Sequence, residues 1–215
     1  MTSRPRALVL IVIDTLRGDR LGSVGYSPAH TPTLDSLAAV GTQFRAASTP
    51  VPLTLPAMAS LLTGRYPFHH GARDNDRFAL PDGELTLAER FREAGFRTAA
   101  VVGSAVLAED RGLHQGFESY DDDFQGNYPV YTPSLQVLAA EFSRTQRRAD
   151  VVTDLALKRA QAMGTDPYFL LVHYFDVHMY YDPPPAFAAL HPGRPYDGEV
   201  SFVPPSDALD FSRIG

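Results

Sequence analysis

Hydrophobic residues along this chain fall into unbroken runs and helically spaced sets. Ala7 to Ile13 is apolar at every position and ends at Asp14. Tyr168 to Phe175, interrupted only by His173, ends at Asp176. Runs without polar alternation suit strands covered on both faces, so the first is expected to be a central strand and the second another buried one. Arg97 to Val102 reads as a shorter strand. Between them the spacing turns helical. Thr31-Pro32 opens a short pattern with Leu34, Leu37 and Ala38 on one face, closed by Gly41. Thr86 and Glu89 form a capping box ahead of Leu87, Phe91 and Ala94, and Gly95 closes that helix. Val152, Leu155, Ala156, Ala160 and Met163 make the apolar face of a further helix. Alternating strands and helices predict an α/β fold with a mostly parallel central sheet flanked by helices.

Parallel sheets offer ligands the carboxyl ends of their strands, which directs attention to Asp14 and to Asp176-Val177-His178. The acidic stretch from Asp121 to Pro133 is expected to be an exposed loop, and the tail from Pro204 has no periodicity. Composition narrows the function classes. The net charge of −6 argues against a general nucleic-acid binder, and the absence of cysteine excludes disulfides, thiolate metal sites and a cysteine nucleophile. No apolar run approaches the roughly 18 residues of a membrane span, and Ala7 to Ile13 is too short for a signal peptide. A cytoplasmic location is therefore the default expectation.

Thr54-Leu-Pro-Ala-Met-Ala-Ser-Leu-Leu-Thr-Gly64 is the most informative block. Thr54 reads as a helix N-cap with Pro56 in the first turn. A hydroxyl there also faces the anion-friendly end of a helix, where an adjacent cation would make it a nucleophile. Asp14 is either a loop cap or a cation ligand. Asn75 either caps a turn or donates its amide to an oxyanion. Asp176 and His178, two apart, would share one face if the strand continued through them. The paired histidines 69 and 70 read as structural.

Assembled in this order, these residues resemble the N-terminal part of the sulfatase-like branch of the alkaline phosphatase superfamily, from about Ala7 to Val203. Sulfatases carry Cys or Ser, then x-Pro-x-Arg, ending in Leu-Thr-Gly. Counting back from Leu62-Thr63-Gly64 puts Thr54 on the nucleophile. Arg65-Tyr66-Pro67, His70-Gly71, the Asp14 to Gly22 segment and the region around Asp176 and His178 also resemble that family. The resemblance implies an alkaline phosphatase-like catalytic domain over 1–203, incomplete at its C-terminus, followed by an irregular tail over 204–215. Tyr196 to Glu199 resembles the start of a helix that precedes a later strand, whose acid-and-imidazole or acid-and-amide pair would complete a metal site.

Three positions depart from the sulfatase pattern. Thr54 replaces Cys or Ser, Met58 replaces the Arg, and Thr15 replaces the second acid of a metal pair. A threonine β-carbon carries a methyl group, so no formylglycine is expected. The departures resemble nucleotide pyrophosphatase/phosphodiesterases, which use a metal-bound Thr and an Asn that holds a phosphate oxygen. That resemblance implies Thr54 as the catalytic nucleophile and Asp14, Thr54, Asp176 and His178 around divalent cations, with Asn75 binding substrate. Zinc or manganese suits these ligands, while calcium or magnesium is tolerated. The expected partner is a small-molecule phosphate or sulfate ester, cleaved as a phosphate mono- or diester through a covalent Thr54 intermediate. Two alternatives stand beside this: a sulfuric ester hydrolase, and a truncated fragment or binding module without turnover.

Overall fold

A computed structural model describes residues 6–126, 128–179 and 181–191. The expected boundary at Val203, the tail over 204–215 and the helix start at Tyr196 to Glu199 lie outside the described residues. Strands β1 (Ala7–Ile13), β2 (Arg97–Val102), β3 (Ser119–Asp121) and β4 (Tyr168–Tyr174) form one parallel sheet in the order β1-β4-β2-β3. The helices are α1 (Pro32–Val40), α2 (Thr54–Thr63), α3 (Pro67–His70), α4 (Leu87–Glu93), α5 (Ala139–Thr145), α6 (Ala149–Met163) and α7 (Pro185–Ala188). None of the described helices is long and apolar enough to cross a membrane.

Strand alternation sorts the core into two layers. Ala100, Val102, Phe169 and Leu171 face one way, onto Leu55, Ala59 and Leu62 of α2 and Ala88 of α4. Ala99, Val101, Leu170 and Val172 face the other way, onto Val152, Ala156 and Met163 of α6. The helical spacing of those α6 residues therefore predicts their burial correctly. The capping box of α4 forms in full: Glu89 N–H donates to the Thr86 hydroxyl oxygen at 3.2 Å, and Thr86 N–H donates to the Glu89 carboxylate at 2.8 Å.

One expectation is corrected at β1. Among the described residues it is an edge strand, paired only to β4, not a covered central one. Leu10 and Val12 pack toward α2, but α6 lies over β2 and β4 and leaves Val9 at 45 % and Ile11 at 53 % exposure. An unbroken apolar run says that a strand is meant to be covered, not that the same stretch of chain supplies the cover.

The acidic segment is also less exposed than its composition suggests. Phe124 and Tyr128 are buried, and two adjacent buried arginines hold the backbone around them. Arg147 donates to the carbonyl oxygens of Asp121 and Asp123 and pairs with the Asp121 carboxylate at 2.6 Å, its guanidinium 5.1 Å from the Phe124 ring. Arg148 pairs with buried Asp182, which in turn accepts from the amides of Tyr131 and Thr132. Stacking on Tyr128 at 4.3 Å completes that environment. A buried pair adds little over an apolar substitute, but breaking it strands one charge. Arg148→Ala should therefore cost about 3–5 kcal/mol in urea unfolding, and Arg148→Lys, which keeps a cation beside Asp182, should lose less.

Candidate active site

The carboxyl ends of β1 and β4 and the first turn of α2 surround a cavity of about 500 Å³. Asp14, Thr15, Thr54, Asn75, His173 and His178 line it. The register explains part of this convergence. Val12 is level with His173 across the parallel pair, and Asp14, two residues on, projects from the same face. Asp14 N–H donates to the Tyr174 carbonyl at 2.9 Å, extending the ladder one step beyond the strand. Gly103, just past β2, allows the close approach of β4: a Cβ there would sit 2.8 Å from the His173 carbonyl oxygen.

Asp14 Oδ2 lies 3.2 Å from His173 Nε2, and His173 is fully buried. Burial pushes the Asp14 carboxyl up, but the hydrogen bond and charge of His173, the Thr54 hydroxyl and the charge of His178 together hold it below its ordinary value. Thr15, at the position of the missing second acid, adopts a left-handed conformation with φ 55°. That is strained for a β-branched residue. Its hydroxyl donates to the Val177 carbonyl at 3.1 Å, tying the turn after β1 to the turn after β4.

Thr54 is not the N-cap. Leu53 occupies that position in extended geometry, and Thr54 is the first helical residue, half-buried. The cap comes from elsewhere in the chain: Leu55 N–H donates to Asn75 Oδ1 at 3.0 Å. Pro56 has no amide hydrogen, and Ala57 N–H already bonds the Leu53 carbonyl at 3.0 Å. The first turn thus offers a ligand fewer amides than its sequence position suggests, but it fixes Asn75. Because an N–H can bond only the amide oxygen, the Asn75 NH₂ group is left for the cavity. Met58, where the sulfatase pattern has Arg, is buried and gives the cavity an apolar wall.

Asp176 and His178 separate. The strand stops at Tyr174, and His178 N–H bonds the Phe175 carbonyl at 2.9 Å, so the chain turns and the two-residue alternation ends. His178 stays at the cavity, its ring stacked on Phe175 at 4.3 Å. Its Nδ1 lies 2.8 Å from the Met179 carbonyl, which can only accept, so Nδ1 carries a proton. Asp176 instead faces Arg148, 3.8 Å away, at the start of α6. Burial raises its pKa against the pull of the Ala149 amide and Arg148, and its Oδ2 has no hydrogen-bond partner among the described residues.

His70 is structural, as its sequence context suggests. Its Nδ1 accepts from Ala72 N–H at 3.2 Å and its Nε2 meets the Ser60 hydroxyl at 3.0 Å, clamping α3 to α2. Sequence reasoning missed His173 as a member of the site. The available signal was a lone polar residue in an otherwise apolar strand, but linking it to Asp14 requires the register.

A sequence model of the sulfatase family matches residues 6–197. The chain belongs to the sulfatase family. An ulvan-active sulfatase of Formosa agariphila is 42% identical over 92 residues, covering 43% of this chain and 18% of that protein. Human arylsulfatase A is 40% identical over 127 residues, covering 55% of this chain and 25% of that protein. The chain therefore spans less than a third of the length of these curated relatives. Among solved structures, a putative sulfatase from Bacteroides thetaiotaomicron has a TM-score of 0.64 at 23% identity, covering 80% of this chain and 36% of that one. Phosphonate monoester hydrolase of Agrobacterium radiobacter has a TM-score of 0.63 at 21% identity, covering 87% and 44%. These structural likenesses establish the alkaline phosphatase-like fold.

The expectation of a site without formylglycine is corrected by these relatives. The ulvan-active sulfatase and the arylsulfatases belong to the formylglycine-dependent, metal-using class. In this member of the family, the motif spacing puts Thr54 where that pattern has Cys or Ser. The described residues do not make a complete cation site: Asp14 offers a carboxylate, but no group of three or more His, Asp or Glu converges closely enough to hold a metal.

Three variants test this geometry. Asn75→Ala should cost about 1 kcal/mol in thermal unfolding by removing the cap on Leu55. Asn75→Asp should keep the melting temperature of the unmodified protein, because its carboxylate oxygen still accepts from Leu55 N–H. For Asp14, the folded-state pKa is depressed, so its contribution to stability is full above the unfolded value of about 3.9 and is lost as pH falls through the folded value. Asp14→Asn should accordingly flatten the acid limb of melting temperature against pH.

Proposed function

We propose that the cavity is the N-terminal half of a sulfuric ester hydrolase site. The observation that carries this reading is the convergence of the sulfatase block, through Thr54, with Asp14, Asn75 and His178 around one cavity. A tetrahedral sulfate head would lie against the first turn of α2, with its central atom toward residue 54. The Asn75 NH₂ group donates to a non-bridging oxygen, aimed by the bond that its own oxygen accepts from Leu55. His178, held by Phe175 and the Met179 carbonyl, turns Nε2 to the departing oxygen, where a proton is needed. The apolar wall around Met58 excludes water from the ester. Relatives named ulvan-active sulfatase and N-acetylgalactosamine-6-sulfatase favour a carbohydrate sulfate as the substrate class.

A second reading is favoured by Thr54 itself, which shares the cavity with Asp14, and by the phosphonate monoester hydrolase fold. In it, the Thr54 oxygen forms a bond to phosphorus as the bond to the leaving oxygen breaks, and water later releases the phosphoryl group.

Purified protein assayed on aryl sulfate, aryl phosphate and aryl phosphodiester, with and without added divalent cation, separates the readings. Sulfate turnover that Thr54→Ala lowers by about 1000-fold or more is expected. Turnover of phosphate esters alone would establish the second reading. Failure on all substrates under every condition would favour a non-catalytic module.

A further inference from the structure

We infer that His173 is a positioning residue that aims the Asp14 carboxylate into the cavity, an inference that rests on reading this cavity as the active site. His173 has no exposed surface and occupies the α2-facing side of β4, the side on which Phe169 and Leu171 fill the core. An imidazole is a costly choice there. Its Nδ1 is buried with no hydrogen-bond partner among the described residues, and a buried polar atom left unpaired is destabilising. Packing alone would favour another leucine.

What the imidazole supplies is one directed contact, from Nε2 to Asp14 Oδ2 at 3.2 Å. The Asp14 carboxylate can only accept, so Nε2 carries a proton. Asp14 lies one residue beyond β1, with its side chain mostly buried at the cavity. A rigid donor from the adjacent strand confines it, because His173 is held by β1 on one side and β2 on the other. The same carboxylate and Thr54, at the head of α2, line one cavity. His173 thereby sets the spacing between the end of the sheet and residue 54 without touching substrate. Misplacing a catalytic group by about 1 Å lowers rate by about 100-fold.

Two measurements test this. The first uses His173→Leu, which keeps the apolar volume and removes the donor, and His173→Gln, which returns an N–H. Turnover of an aryl ester by His173→Leu should fall about 100-fold in kcat, with KM within about twofold of the unmodified protein. His173→Gln should recover about tenfold of that loss. Unchanged kcat in the leucine variant, or no recovery in the glutamine variant, would overturn the inference. The second measurement needs no turnover, so it stands if the hydrolase reading fails. Protein labelled with ¹⁵N-histidine should show a slowly exchanging Nε2–H on His173 at neutral pH, lost in Asp14→Ala. A proton on Nδ1 instead, or an Nε2–H indifferent to Asp14→Ala, refutes the contact on which the positioning role depends.

Discussion

Parallel pairing of β1 with β4 is the constraint on which the rest of the site depends. These strands are far apart in sequence, yet their register brings Val12 level with His173 and carries Asp14 just past the sheet edge. A one-residue slip would turn Asp14 to the opposite face, toward the α6 layer, and leave the head of α2 without its carboxylate. The bonds from Asp14 N–H to Tyr174 and from the Thr15 hydroxyl to Val177 fasten the two strand ends together. Strain at Thr15 fits this picture, since a left-handed β-branched residue persists only where surrounding contacts over-determine it.

Charge is managed differently in the two halves of the molecule. Near the cavity, Asp14 is held ionised by a histidine and a hydroxyl, and Asn75 contributes a neutral dipole. Outside the cavity, Arg147 and Arg148 absorb the acidic segment after β3, and Arg148 also draws Asp176 toward α6. That competition explains the separation of Asp176 from His178. Once the strand ends at Tyr174, side-chain direction is set by whichever partner is nearest, and for Asp176 that is a guanidinium.

Much was legible in the sequence where the signal was local. The capping box at Thr86 and Glu89, the apolar stripe of α6 and the chain reversals were readable because each is decided within a few residues. The block from Thr54 to Gly64 was legible as a family segment because its spacing is short and fixed, and the family match spans it. Errors arose where a residue had two local uses. Thr54 fits an N-cap as well as a first helical position, and only the arrival of Asn75, 20 residues later, takes over the cap and leaves the threonine hydroxyl to the cavity.

By itself, the sequence determined the class of fold, the order of its longer strands and helices, and the family, since all of these follow from short-range periodicity and motif spacing. Tertiary structure decided that β1 lies at the edge of the sheet, that Asp176 joins Arg148 while His178 stays at the cavity, and that His173 meets Asp14. Each of those depends on strand order, register or competition between partners distant in sequence. Such contacts exist only after the chain has closed on itself, so no local pattern records them.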